Sequence, residues 1–171
     1  MKRLSLFVFT AISLASVSTG VTAAPEKSRQ ETVAERGPDV MPFDLNATTH
    51  IFTKTKTGGI QQVVAKDARD AAQIRLIRTH LQDIAAQFSR GDFSGPTHVH
   101  GPDMPSLSEL KNAKPSAIKV QYQQIRNGAK IVYTTADPKL VNALHKWFDA
   151  QVSDHGHDAM QGHDHSMMHR Q

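Results

Sequence analysis

Cysteine is absent from all 171 residues. Disulfides and thiolate chemistry are therefore excluded, and any soft-metal site must be built from Met and His. The same absence excludes lipid attachment at a cysteine behind an export signal. A chain without thiols fits an oxidising compartment, where free thiols are lost to disulfides.

Long apolar runs are nearly absent too. Only one exists, from Leu4 to Val17, behind Lys2 and Arg3. It is too short and too rich in Ser and Thr to span a bilayer comfortably, so it reads as a secretory signal. Val21-Thr22-Ala23 supplies small residues for cleavage, which predicts a signal peptide over 1–23 and export to the periplasm or beyond. No later segment is long and apolar enough for a membrane, so no membrane association is expected after cleavage.

Charge of one sign is scarce. The net charge of +4 falls to about +2 without Lys2 and Arg3, and no basic stripe is interleaved with aromatics. Nucleic acid is therefore not an expected partner. Signatures of catalysis are missing as well. There is no His-Glu-x-x-His, Ser94 and Ser106 lack a nucleophile-elbow context, and Gly58-Gly59 is not followed by the Lys-Ser/Thr helix start of a phosphate cradle. Asp83, Asp103 and Asp149 stand at no spacing that marks a catalytic base. The chain is not expected to be an enzyme.

What is present is organised. Residues 24–46 are polar and aperiodic at their start, which predicts a flexible leader, with Met41-Pro42-Phe43 packing as an extended arm. Residues 47–154 read as one domain. Thr48–Lys56 and Ile60–Lys66 are strands around a Gly58-Gly59 turn, and a helix runs from about Asp67 to Ser89. Its apolar residues Ile74, Ile77, Leu81, Ile84 and Phe88 follow helical spacing, and Gly91 ends it. A loop over 92–105 and a short helix over 106–112 follow. Strands 118–125 and 129–135 flank Asn127-Gly128, a two-residue hairpin signal. Asp137-Pro138 starts a last helix with Val141, Leu144, Phe148 and Val152 as its stripe, ended by Gly156. The order implies an α+β fold: a two-layer sandwich with a four-stranded antiparallel sheet, both helices on one face, and a pseudo-repeated ββα unit.

The most informative segment is the last. Residues 155–171 hold half of the ten His and half of the six Met. His155, His157, Met160, His163, His165, Met167, Met168 and His169 are the candidate metal ligands, and the segment is expected to be disordered until metal orders it. His157-x-x-Met160 and His165-x-x-Met168 would put two donors on one side of a helical turn. Imidazole with thioether suits Cu(I) and Ag(I), and imidazole alone also takes Cu(II), Ni(II) and Zn(II). Copper is the leading expectation, with silver, zinc and nickel behind it. A second cluster, His98, His100 and Met104, sits in the central loop, where Gly101-Pro102 could turn Met104 back on His100. His50, His80 and His145 sit at edges of apolar faces and could line a pocket. The bland alternative for each is a packed or hydrogen-bonded side chain.

The tail resembles the His-x-x-Met segments of periplasmic copper- and silver-resistance proteins. The domain resembles a family of small exported bacterial proteins, through Met41-Pro42-Phe43-Asp44-Leu45, Gly91-Asp92-Phe93-Ser94, His100-Gly101-Pro102-Asp103-Met104-Pro105, Tyr133-Thr134-Thr135-Ala136-Asp137-Pro138 and His145-Lys146-Trp147-Phe148-Asp149-Ala150-Gln151. The second resemblance implies export and no particular chemistry. Together these features predict a periplasmic protein that sequesters copper or silver or passes it to another metal-handling protein. Binding should weaken below pH ~6, because an ordinary imidazole must shed its proton to ligate. Two other functions compete: an exported peptide- or small-molecule-binding module with an incidental tail, and a secreted zinc enzyme using His80, His100 and His145.

Overall fold

A computed structural model describes residues 27–163. The expected signal peptide, and His165, Met167, Met168 and His169, lie outside the described residues. No helix among those described is long and apolar enough to cross a membrane.

The chain is α+β. Two hairpins form its centre: β1 (Thr48–Thr55) with β2 (Gly58–Ala65), and β3 (Lys119–Ile125) with β4 (Gly128–Thr134). β2 and β4 pair antiparallel and join the hairpins. Alternation decides which face is covered: Thr48, His50 and Phe52 of β1, Val63 and Ala65 of β2, and Ala129, Ile131 and Tyr133 of β4 are buried. Helices α2 (Ala71–Ser89) and α5 (Pro138–His155) pack against the sheet and supply its apolar cover.

Local chemistry explains both helix starts. The Asp70 carboxylate accepts the Gln73 N–H at 3.0 Å, so α2 begins three to four residues later than its pattern suggests. Asp67 is used instead to hold the preceding turn through the Arg69 N–H. Asp137 caps α5 through the Lys139 N–H, with Pro138 in the first turn. The α2 stripe is buried as expected. In α5 the stripe is rotated: Leu144 and Phe148 are buried, but Val141 and Val152 are only half-buried, and Ala143, Trp147, Gln151 and Asp154 share the inner face.

Among the described residues the sheet has five strands, in the order β3-β4-β2-β1-β5, rather than four. The added strand, β5 (Ala159–Gln161), runs parallel to β1 with His50 opposite Ala159 and Ile51 opposite Met160. Among the described residues three shorter helices accompany α2 and α5, one of them expected. α4 (Leu107–Lys111) falls within the short helix expected over 106–112. α3 (Ser94–His100) stands where a loop was expected. α1 (Arg29–Val40) occupies the expected leader and packs on α3 and α5. The domain therefore takes in part of the expected leader and residues 155–163 of the expected tail.

The start of α1 is written in Ser28-Arg29-Gln30-Glu31, a capping box. The Ser28 hydroxyl accepts the Glu31 N–H, and the Glu31 carboxylate accepts the Ser28 N–H. Replacing Ser28 by Ala is expected to cost about 1 kcal/mol and lower Tm by about 3 °C. A thermal melt of the variant checks this; an unchanged Tm would mean that α1 is held by its packing alone.

Candidate functional site

Four imidazoles from four elements line one small cavity: His50 from β1, His80 from α2, His100 from α3 and His155 from the last turn of α5. Its volume is about 50 Å³, and Met41 and Trp147 also border it. The rings are close. His50 and His155 are stacked at 4.9 Å, and His100 meets His155 edge to face at 5.1 Å. Phe43 packs beside two of the rings, 5.8 Å from His50 and 5.5 Å from His80.

Sequence position sets these directions. His50 shares parity with Phe52, so strand alternation turns it inward. His155 lies four residues after Gln151 and seven after Phe148, on the inner face of α5. The α3 helix separates its two His residues. Positions two apart on a helix point away from each other. His100 is thus buried, whereas His98 is exposed and contacts the Asp39 carboxylate at 2.9 Å.

A buried acid fixes one ring. His100 Nδ1 lies 2.8 Å from Asp154 Oδ2, and both side chains are 3 % exposed. An ionised carboxylate only accepts, so Nδ1 carries a proton and Nε2 is the nitrogen turned away from the acid. Arg29 of α1 completes the arrangement. Its Nε donates to Asp154 Oδ1 at 2.6 Å and its Nη2 to the His100 carbonyl at 2.9 Å. Burial pushes the Asp154 carboxyl up, but the hydrogen bonds from His100 and Arg29 outweigh it and hold the group below its ordinary value.

Burial favours the neutral form of the other three rings. Burial, and then the charge of His80, hold His50 down at about 4, against an opposing hydrogen bond to the Asp158 backbone. Burial holds His80 at about 4, opposed by Asp83. His155 lies well below its usual value through burial and the neighbouring His50 and His100, with Asp154 opposing. Two buried nitrogens bordering the cavity, His50 Nδ1 and Trp147 Nε1, have no hydrogen-bond partner among the described residues.

Not every expected ligand belongs here. His145 Nε2 contacts the Thr55 and Gly58 carbonyls at 3.0 and 2.9 Å, so it clamps the β1–β2 turn instead of lining the pocket. His80, His100 and His145 consequently do not form the trio a zinc enzyme would need. Met104 is 2 % exposed within the hydrophobic core and is not among the residues that border the cavity. His157 lies in a 3-10 turn and Met160 in β5, so the helical geometry assumed for His-x-x-Met is absent there. His157 and His163 are exposed, and Met160 is 52 % exposed. Among the described residues, no three His, Cys, Asp or Glu side chains already converge as a metal site.

Asp154 and Arg29 escaped the sequence reading. Asp154 stands seven residues after Trp147 and so on the same helical face. Arg29 follows the capping Ser28 directly. Those two positions were the available signals. Neither a protein family, nor a curated protein, nor a solved structure matches this chain.

Proposed function

We propose that this chain is an exported soft-metal-binding protein, for copper or silver, and that His50 and His100, both buried, and the half-buried His155 are its ligands. The observation that carries the reading is the gathering of imidazoles from separate elements around one cavity, with His50 and His155 held in the neutral form that ligates. The buried His50 Nδ1, which has no hydrogen-bond partner among the described residues, supports it. A carboxylate behind a ligating imidazole orients the ring and raises its basicity, as Asp154 would for His100. Met41 brings a thioether to the same cavity, which favours Cu(I) or Ag(I) over zinc. The groups at His165, Met167, Met168 and His169 would be capture donors that pass the ion inward or to a partner.

Binding requires a local rearrangement. Ring lone pairs lie in the ring plane, and the His50 and His155 planes are within 11° of parallel. His155 must turn before both can face one ion. It adjoins Gly156, whose φ of 54° ends α5.

The assignment also revises the expected pH dependence. His50 and His155, both held below the ordinary imidazole value, do not lose the metal to protons there as ordinary rings do. The part of the affinity that these two rings supply should therefore change little between pH 7 and pH 5.5. Ordinary imidazoles, with reference pKa about 6.5, should weaken about tenfold over that range.

Native mass spectrometry of the full chain, exposed to one equivalent of Cu(I) or Ag(I) and to Zn(II) and Ni(II), tests the assignment. One tightly held soft ion is expected. It should survive replacement of His165, Met167, Met168 and His169 by Ser. It should weaken by about 10- to 100-fold or more in His50→Phe with His155→Phe, which keeps the stacked rings. Loss on changing only the terminal group would move the site to the tail. No soft ion on the wild-type protein would overturn the function.

A further inference from the structure

A second cavity, of about 270 Å³, lies between the end of α2, α4 and the turn before β3. It shares Phe88 with the histidine cavity but contains no imidazole. Its floor is apolar: Phe88, Phe93, Leu110 and Leu144 are buried there, and Ile118 and Val120 are half-buried beside them. Its mouth has one charge sign. Arg90, Lys111 and Lys114 line it and are exposed, and no carboxylate does. Among the described residues, none of these three cations forms an ion pair. The nearby Asp92 has a carboxylate oxygen accepting the Ser94 N–H at 3.0 Å.

The backbone presents this mouth in a fixed shape. The Ala117 N–H bonds the Lys114 carbonyl at 3.0 Å, closing a turn with Pro115 and Ser116 at its centre. Ser116 has φ 64°, the left-handed region that a type II turn usually gives to glycine. Proline fixes the preceding position, so Lys114 is held at the rim by a stiff, slightly strained turn.

We propose that this cavity binds a small amphipathic carboxylate, its alkyl or aryl body on the Phe88–Phe93–Ile118 floor and its carboxylate between Arg90, Lys111 and Lys114. The volume is near the lower end for small-molecule sites, which limits the ligand to about a medium-chain acid. Charge decides the ligand class. Asp92 already lies close enough to Arg90 and Lys111 to be lowered by both, but it is not part of the lining. An apolar neutral molecule would leave the cationic rim, Lys114 above all, unused, while a short anion would leave the floor uncovered. The proposal is independent of metal binding.

Trp147 provides the readout. It is the only tryptophan, is fully buried, and lies 5.8, 6.0 and 6.0 Å from Phe88, Phe93 and Tyr133, all of which line the cavity. The full chain is titrated with octanoate, 1-octanol and acetate, following Trp147 fluorescence and calorimetric heat. Octanoate should saturate, with a Kd at least about tenfold below either control. In Lys111→Gln with Lys114→Gln, octanoate should weaken about tenfold while 1-octanol is unchanged. Equal binding of 1-octanol, equal binding of acetate, an unaltered double variant, or no saturable octanoate signal would each overturn the proposal. The three-ligand comparison needs only the wild-type protein.

Discussion

Acidifying the metal-free protein from pH 7.5 to pH 5 should remove about 4 kcal/mol of folding stability. The source is His50 and His80, each near 4 in the folded chain and at the ordinary 6.5 when unfolded. Between those values the unfolded chain binds more protons than the folded one, so stability falls as pH falls. It is fully present above about pH 6.5, and each ring has cost about 3 kcal/mol once the pH is below 4. His155 is shifted in the same direction and adds to the loss. Asp154 acts later: its lowered folded value gives stability that is lost only as pH drops below the ordinary carboxyl range. Native stabilities of this size of domain are typically about 5–15 kcal/mol, so the loss is a large fraction of the total and the urea midpoint should fall steeply by pH 5. Urea titrations at pH 7.5, 6 and 5 measure it. His50→Phe should reduce the slope by close to one proton. A stability independent of pH over this window would mean that these rings are solvated in solution.

Replacing Asp154 by Ala should destabilise the fold by about 3 kcal/mol at pH 7.5, a fall in Tm of about 10 °C. The variant strips the buried His100 of its acceptor and Arg29 of its nearest counter-charge. Removing one member of a buried pair ordinarily costs about 3–5 kcal/mol. The lower end applies because the Arg29 side chain is 40 % exposed and water can replace part of its contact. Asp154→Asn should cost less, since its amide oxygen can still accept from His100 or Arg29. Both variants should also lower metal affinity about 10- to 100-fold, because the tautomer of His100 is no longer fixed by a carboxylate. If both melt like the wild type, the Arg29–Asp154–His100 chain does not hold α1 and α5 together.

The parts of the fold that repeat a simple period were legible in the sequence. Alternation turned His50 inward with Phe52, and the α2 stripe, the Asn127-Gly128 turn and the Asp137-Pro138 start all stand where their residues place them. What was missed has short elements or long-range partners. α3 spans only seven residues and carries Gly95 and Pro96, so its sequence looks like a loop; helicity there separates His98 from His100. β5 is three residues long and exists through its pairing with β1, which local sequence cannot announce. α1 did announce itself, through Ser28 and Glu31, but the polar composition around it concealed the signal. For the site, the density of His and Met directed attention to the terminal segment. The described cluster instead recruits single imidazoles from positions 50, 80, 100 and 155, whose proximity only the tertiary fold creates.

The central claim can be put to one experiment: two-bond 1H–15N imidazole spectra of the full chain at pH 5.5, before and after one equivalent of Ag(I). At that pH ordinary imidazoles are about nine-tenths protonated. Large nitrogen shifts confined to His50, His100 and His155, with His157, His163, His165 and His169 unmoved, are predicted. Shifts on the terminal imidazoles alone, or on none, would contradict a buried soft-metal site.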